Sequence, residues 1–353
     1  MNETLRALLV ASFEGDQRAL EIDQFKTTAK RALLNSTADE LANIFVLSSF
    51  LSGVCTSLDE KAWNLRETEG AFTNFLDGTL TRELSPLAFL GDSLRREPRK
   101  QLSKKANLIA LTVSEIVRMQ PADPLFQMFI RATMNEMDKL TRHESRYQTE
   151  SEWFANSLYR AFDEMDRILG VDYAHDKNMK TDLNMKERLY EGAGIGVQTS
   201  YISVLLALEA IQPASGSSFI DLGSGYGRVG FVIGLLRPDM DFIGYEYVEH
   251  RVTHSQACAD RAGLSEKVRF ITQDLSARDF AIPVADVYYM YDPFSRETYE
   301  HVFAQLKKIG RERAITVVTK GRASGWFAET IRGEKWATEP MCDEGTLGIF
   351  KSA

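Results

Sequence analysis

Residues 219–231 read FIDLGSGYGRVGF. An apolar run ends in an acid, Asp221, and three glycines follow at alternate positions, Gly223, Gly225 and Gly227. Glycine tolerates positive φ and lets a ligand approach the backbone, so strand, glycine turn and helix start are expected in succession. With Gly230 the turn satisfies the dinucleotide pattern G-x-G-x-x-G, and Glu246 lies near the matching downstream position. The carboxylate at the strand tip speaks against a dinucleotide. Pyrophosphate seeks a helix N-terminus and is repelled by an acid beside it. A cationic group, such as the ammonium of a bound amino acid, is favoured there. About 130 residues follow the turn, too few for a second nucleotide-binding half plus a catalytic domain.

From residue 217 onward, short apolar runs alternate with helical patterns. The strand candidates are SFIDL, DFIGYE, VRFIT, DVYYMY and AITVVT, with helices expected over 226–237, 249–262, 297–308 and 323–332. Such alternation predicts a parallel sheet with helices on both faces. KWATEP and GTLGIF are separated only by MCDE, which leaves no room for a crossover helix and predicts an antiparallel hairpin at the sheet edge.

Residues 1–170 differ in character. ADELANIFVLSSFLSGV, KKANLIALTVSEIVRM, PLFQMFIRATMNEMDKLTRH and ESEWFANSLYRAFDEMDRIL place apolar residues at three- and four-residue spacing, which predicts an all-α domain. Residues 41–58 carry no charge, yet four serines, an asparagine and a threonine dilute them, so a buried helix is expected and no membrane span. Residues 171–197 are polar and then glycine-rich, with Gly192, Gly194 and Gly196, and are expected to link the domains and cover the cofactor as a lid. The second domain then runs 198–353.

Net charge is −8, dividing about evenly on either side of residue 170, which gives no strong nucleic-acid signal. One basic run, SLRREPRKQLSKK (93–105), is expected to be a solvated connection; the sharper alternative is a docking patch for an acidic partner. Cys55, Cys258 and Cys342 are far apart and the five histidines do not cluster, so neither a disulfide framework nor a metal site is expected. The N-terminus reads as no signal peptide, and a reducing, cytoplasmic setting is expected. Nothing in the sequence sets the oligomeric state.

The strand ends carry the chemistry. Asp221 closes the first strand, Glu246 the second, and Asp274 follows the third in FITQDLS. Glu246 suits both hydroxyls of a ribose, and Asp274 suits the amino group of an adenine. S-adenosylmethionine has all three matching groups and no phosphate. Its expected contacts are Asp221, Gly223, Ser224, Gly225, Gly227, Glu246, Tyr247, Asp274, Leu275 and Thr199, the last beside the helix cap offered by Thr199 or Ser200. YYMYDPFS (288–295) ends the fourth strand, where Asp292 is expected to orient an acceptor amine and Tyr291 and Phe294 to wall its channel. Lys320, after the fifth strand in VTKGR, is read as a solvated loop residue, with a site role as the alternative.

From about residue 190 to the end, DLGSGYG followed by GYE and QD resembles the class I S-adenosylmethionine-dependent methyltransferases. The resemblance implies a Rossmann-like seven-stranded α/β sheet, parallel with a C-terminal antiparallel hairpin. Within that superfamily the chain looks most like the non-SET histone-lysine methyltransferases, the disruptor-of-telomeric-silencing family. Those place an E-T-S-like element one helix before the turn; here Gln198-Thr199-Ser200 stands there, with the acid missing or replaced by Glu191. Their asparagine-rich fourth-strand motif is YDPF in this chain, which is similar to the Asp/Asn-Pro-Pro-aromatic motif of amine methyltransferases, short of one proline. The implied activity is N-methylation of a protein side chain. A small-molecule N- or O-methyltransferase, a spermidine-synthase-like transferase and a non-catalytic scaffold are the alternatives.

Overall fold

The computed structural model describes residues 37–60, 98–118, 124–147, 161–177, 198–292, 294–340 and 347–353. The chain divides into two compact units, Met1–Gly170 and Val171–Ala353.

The described part of the first unit is helical: α1 (Ala38–Glu60), α2 (Arg99–Arg118), α3 (Pro124–Tyr147) and α4 (Glu164–Leu169). A reciprocal cap starts α1: the Glu40 N–H donates to Thr37 Oγ1 and the Thr37 N–H to Glu40 Oε2, both at 3.2 Å. α1 packs on α2 and α3, and Phe45 meets Phe129 edge-on at 6.2 Å. Gly53 lets α1 approach closely, since a Cβ there would lie 3.0 Å from the Ala161 Cα. The uncharged stretch of α1 is apolar all round because it is buried all round. Its span Ala38–Thr56 is long and apolar enough to cross a bilayer, but 78% of it is buried inside the unit. Part of the basic run lies on the solvated face of α2, where Lys100 and Lys104 are exposed. Arg95, Arg96 and Cys342 lie outside the described residues.

The second unit is a seven-stranded sheet. Its strands are β1 (Ser218–Leu222), β2 (Asp241–Glu246), β3 (Val268–Thr272), β4 (Val287–Tyr291), β5 (Thr316–Lys320), β6 (Trp336–Pro340) and β7 (Gly348–Ser352). They lie in the order β3-β2-β1-β4-β5-β7-β6, with β1 to β5 parallel and β7 antiparallel to both β5 and β6. The expected terminal hairpin is present, with its second strand inserted beside β5 and its first strand at the edge. Two short segments precede the sheet, α5 (Ala174–Lys177) and α6 (Tyr201–Ile211); the crossovers are α7 (Arg228–Leu236), α8 (Glu249–Arg261), α9 (Arg296–Glu312) and α10 (Arg322–Thr330).

Strand alternation sorts the core into two faces. Ile220, Leu222, Tyr288, Met290 and Val317 pack with Phe303, Leu306 and Phe327 from α9 and α10. On the other face Phe219 stacks on Phe242 at 5.9 Å, and Phe270 meets both Phe242 and Phe231 edge-on. The chain winds one way from β1 to β3 and the other way from β4, so the switch point lies between β1 and β4. Ligands of open α/β sheets bind there, outside the carboxyl ends of the strands.

Candidate cofactor and acceptor site

The glycine turn is folded back on the end of β2. The N–H groups of Gly223 and Ser224 both donate to the Tyr245 carbonyl, at 2.8 and 2.9 Å. Gly223, Gly225 and Gly227 have φ of 97°, 52° and 88°, the left-handed region that glycine enters without strain. At Gly227 a side chain is doubly excluded, because a Cβ would stand 2.6 Å from the Phe270 ring. At Gly225 the space is open, with nothing within 4 Å of a built Cβ.

Glu246 sits at the tip of β2, buried, beneath this turn. Its Oε2 accepts the Gly225 N–H at 2.8 Å; its Oε1 accepts the Val248 N–H at 3.1 Å and faces Arg251 Nη1 at 3.4 Å. The carboxylate is thus fixed in orientation. Asp221, 2% exposed, lies beside Gly244 and Tyr289 in the sheet. Burial first, and then the charge of Glu246, push its carboxyl well above the ordinary range.

An open cleft runs from Gly223 and Glu246 past Tyr247, Asp274 and Leu275 to Phe294 and Thr298. Tyr247 is 44% exposed and Leu275 buried, so the cleft offers one aromatic and one aliphatic surface. Asp274 Oδ1 accepts from the Ser276 N–H at 2.8 Å and its hydroxyl at 2.6 Å, a local turn that holds the side chain at the rim. Nucleoside chemistry fits this set: a fixed carboxylate, two flat apolar surfaces and a second acid at the far end.

Thr199 is placed near the turn through its backbone. Its carbonyl accepts from Arg228 Nη1 at 3.1 Å, and the guanidinium lies 5.0 Å from the centre of the Tyr201 ring. Ser200, not Thr199, caps α6, its Oγ accepting the Ser203 N–H at 3.1 Å.

The acceptor-side residues have partners of their own. Asp292, at φ 39°, turns its carboxylate toward the start of α10, where Oδ1 accepts the Ala323 N–H at 3.2 Å. A Cβ at Gly321 would overlap that carboxylate. The unpaired N–H groups at a helix start attract an acid, which accounts for this contact. The Tyr291 ring is covered by the chain's own cation, with Lys320 Nζ at 5.3 Å from its centre. Lys320 is not a solvated loop residue; it is the last residue of β5, 4% exposed, in register with Tyr291, and it donates to Ser203 Oγ at 2.5 Å. Phe294 does reach the cleft and packs on Tyr299 at 5.2 Å. Pro293 and residues 178–197, including the expected lid and Glu191, lie outside the described residues.

Residues 171–177, expected to be linker, are pinned to the glycine turn and α8. The Asp172 N–H donates to His254 Nε2 at 2.9 Å, and Tyr173 meets Tyr226 edge-on at 4.7 Å. Asp176, 4% exposed, accepts from Tyr226 Oη and faces His250 Nε2, each at 2.9 Å, and pairs with Arg251 Nη2 at 3.0 Å. Burial works to raise the Asp176 carboxyl, but hydrogen bonds from His250, Arg251 and Tyr226 and the charge of Arg251 outweigh it and hold it below the usual range. Neither Asp176 nor Arg251 was singled out from sequence. The partners of Asp176 stand 50 to 75 residues away, and no local pattern joins them.

Sheet order and glycine turn give the second unit the Rossmann-like fold of the class I methyltransferases. Residues 213–344 match the family model described as a methyltransferase domain, a model that does not single out the non-SET histone-lysine enzymes. No curated protein matches the chain. Among solved structures, an RNA methyltransferase from Salinibacter ruber, in complex with S-adenosyl-L-homocysteine, is 24% identical over 44% of this chain and 92% of its own, with a TM-score of 0.33. TrmN from Thermus thermophilus is 15% identical over 42% of this chain, with a TM-score of 0.34, and the match spans only 47% of that protein. A TehB-like S-adenosylmethionine-dependent methyltransferase from Corynebacterium glutamicum is 15% identical over 41% of this chain and 84% of its own, with a TM-score of 0.31.

Proposed function

We propose that the protein transfers the methyl group of S-adenosylmethionine to a nitrogen acceptor, a lysine-like amine on a protein side chain. In this reading Glu246 accepts from the ribose and Asp274 from the adenine amino group. Tyr247 and Leu275 take the faces of the base, and Asp221 with the glycine turn takes the amino-acid end. When bound, the sulfonium supplies an activated methyl carbon for in-line displacement. The protein's part is positioning, which can lower a barrier by roughly 7–11 kcal/mol when alignment is good.

The observation that carries the nitrogen reading is the buried Lys320 ammonium beside Tyr291 at the ends of β4 and β5. A like charge in a dry setting disfavours a second ammonium, so an incoming amine is kept neutral with its lone pair available. Phe294 adds an apolar wall, and Asp292 keeps the β4 tip tied to α10.

The test is transfer of labelled methyl from S-adenosylmethionine by the full-length protein to lysine-containing proteins and peptides, with free amines and hydroxyl compounds offered alongside. Label in N-methyl groups of protein is expected. The Lys320→Met variant should also need a higher pH for the same rate. Label only in hydroxyl-bearing small molecules, or an unshifted pH profile, would contradict the reading.

A further inference from the structure

We propose that Asp176, outside the glycine turn and all three strand-end acids, is a positioning residue for the cofactor: it holds Arg251 back so that Glu246 can accept both ribose hydroxyls. The inference rests on the methyltransferase reading and assigns a role to the 171–177 segment within it.

A carboxylate offers about four lone-pair sites. On Glu246, the Val248 N–H and Arg251 take two on Oε1, and the Gly225 N–H takes one on Oε2. A ribose presents two hydroxyls, so accepting both requires the Arg251 contact to give way. That contact is already the weak one. Arg251 Nη1 stands 3.4 Å from Glu246, whereas its Nε and Nη2 meet Asp176 Oδ2 at 3.1 and 3.0 Å. Nε donates to both Asp176 oxygens, at 3.3 and 3.1 Å, and Nη2 adds ion-pair proximity without hydrogen-bond alignment, so the charge of Arg251 leans on Asp176 more than on Glu246. Tyr226 and His250 fix Asp176 in turn, and Tyr226 itself belongs to the glycine turn. The 171–177 segment is therefore tied both to the glycine turn and to α8. With Asp176 gone, the buried guanidinium has Glu246 as its remaining carboxylate partner among these groups. It then closes on Oε1 and competes with the ribose.

The experiment is titration of the full chain with S-adenosylmethionine and S-adenosylhomocysteine, with thermal unfolding recorded for each variant. Asp176→Asn should bind both ligands about tenfold more weakly. The double variant Asp176→Asn/Arg251→Met, which removes the competing cation together with its partner, should return to within about threefold of wild type. A purely structural role would lower the melting temperature of both variants and give no rescue of affinity, and that pattern overturns the proposal. Should Asp176→Asn fail to fold, the double variant decides alone: a loss of tenfold or more against wild type overturns the proposal, and a loss under threefold supports it. Undiminished binding by folded Asp176→Asn overturns this inference only. Absence of binding by folded wild type overturns the methyltransferase reading, and this inference with it.

Discussion

Asp221 is a carboxyl held above its ordinary range by burial and by Glu246, in a place suited to an ammonium. A bound ammonium favours the ionised form, so the complex must have the lower Asp221 pKa. Between the two values, binding releases a proton, and affinity rises with pH until the free-protein value is passed. Calorimetry in buffers of different ionisation enthalpy measures the release directly; no net release over that window would remove Asp221 from the ligand's cationic end. Glu246 has the opposite character, a carboxylate oriented by two backbone N–H groups. Glu246→Ala should weaken cofactor binding about 10- to 100-fold, the loss of one or two charge-assisted bonds. Unchanged affinity in a titration of the folded variant would place the ribose elsewhere. These acids were legible in the sequence because each closes or follows an apolar run. Lys320 was not, since a lysine after a strand reads as solvated. Its burial comes from Ser203, 117 residues earlier, and from Tyr291 on the adjacent strand.

At the scale of elements, the glycine turn is held by the aromatic face beneath it. A Cβ at Gly230 would stand 2.6 Å from Phe242 and 2.8 Å from Phe270. Gly230→Val should therefore destabilise the second unit by about 1–3 kcal/mol through overpacking. The helix-propensity gain over glycine is smaller, about 0.5 kcal/mol. A chemical denaturation midpoint that does not fall would show that the Phe242 and Phe270 rings yield freely. The strands and the terminal hairpin could be read from alternation and from the short MCDE connection, because both are local signals. Residues 171–177 read as linker in the sequence for the converse reason. Asp172, Tyr173 and Asp176 are polar and aperiodic in sequence, and their partners Tyr226, His250, Arg251 and His254 arrive only with the fold.

At the scale of the whole molecule, two compact units have different logics. The first buries an uncharged helix among other helices, a pattern that periodicity and dilution by serine already conveyed. The second places Asp221, Glu246 and Asp274 at or just past the carboxyl ends of consecutive strands. The acceptor was the part least legible. YDPF promised an acid and two aromatics facing the substrate; Phe294 lines the cleft, while Asp292 accepts from the start of α10 and Tyr291 lies beside Lys320. The central claim is that this glycine turn and its acids hold an adenosyl amino acid and not a dinucleotide. The most direct test is calorimetric titration of the purified full-length protein with S-adenosylmethionine, S-adenosylhomocysteine and NAD. Micromolar binding of the two adenosyl ligands, with none of NAD, is the expected result; binding of NAD, or of neither adenosyl ligand by folded protein, would contradict it.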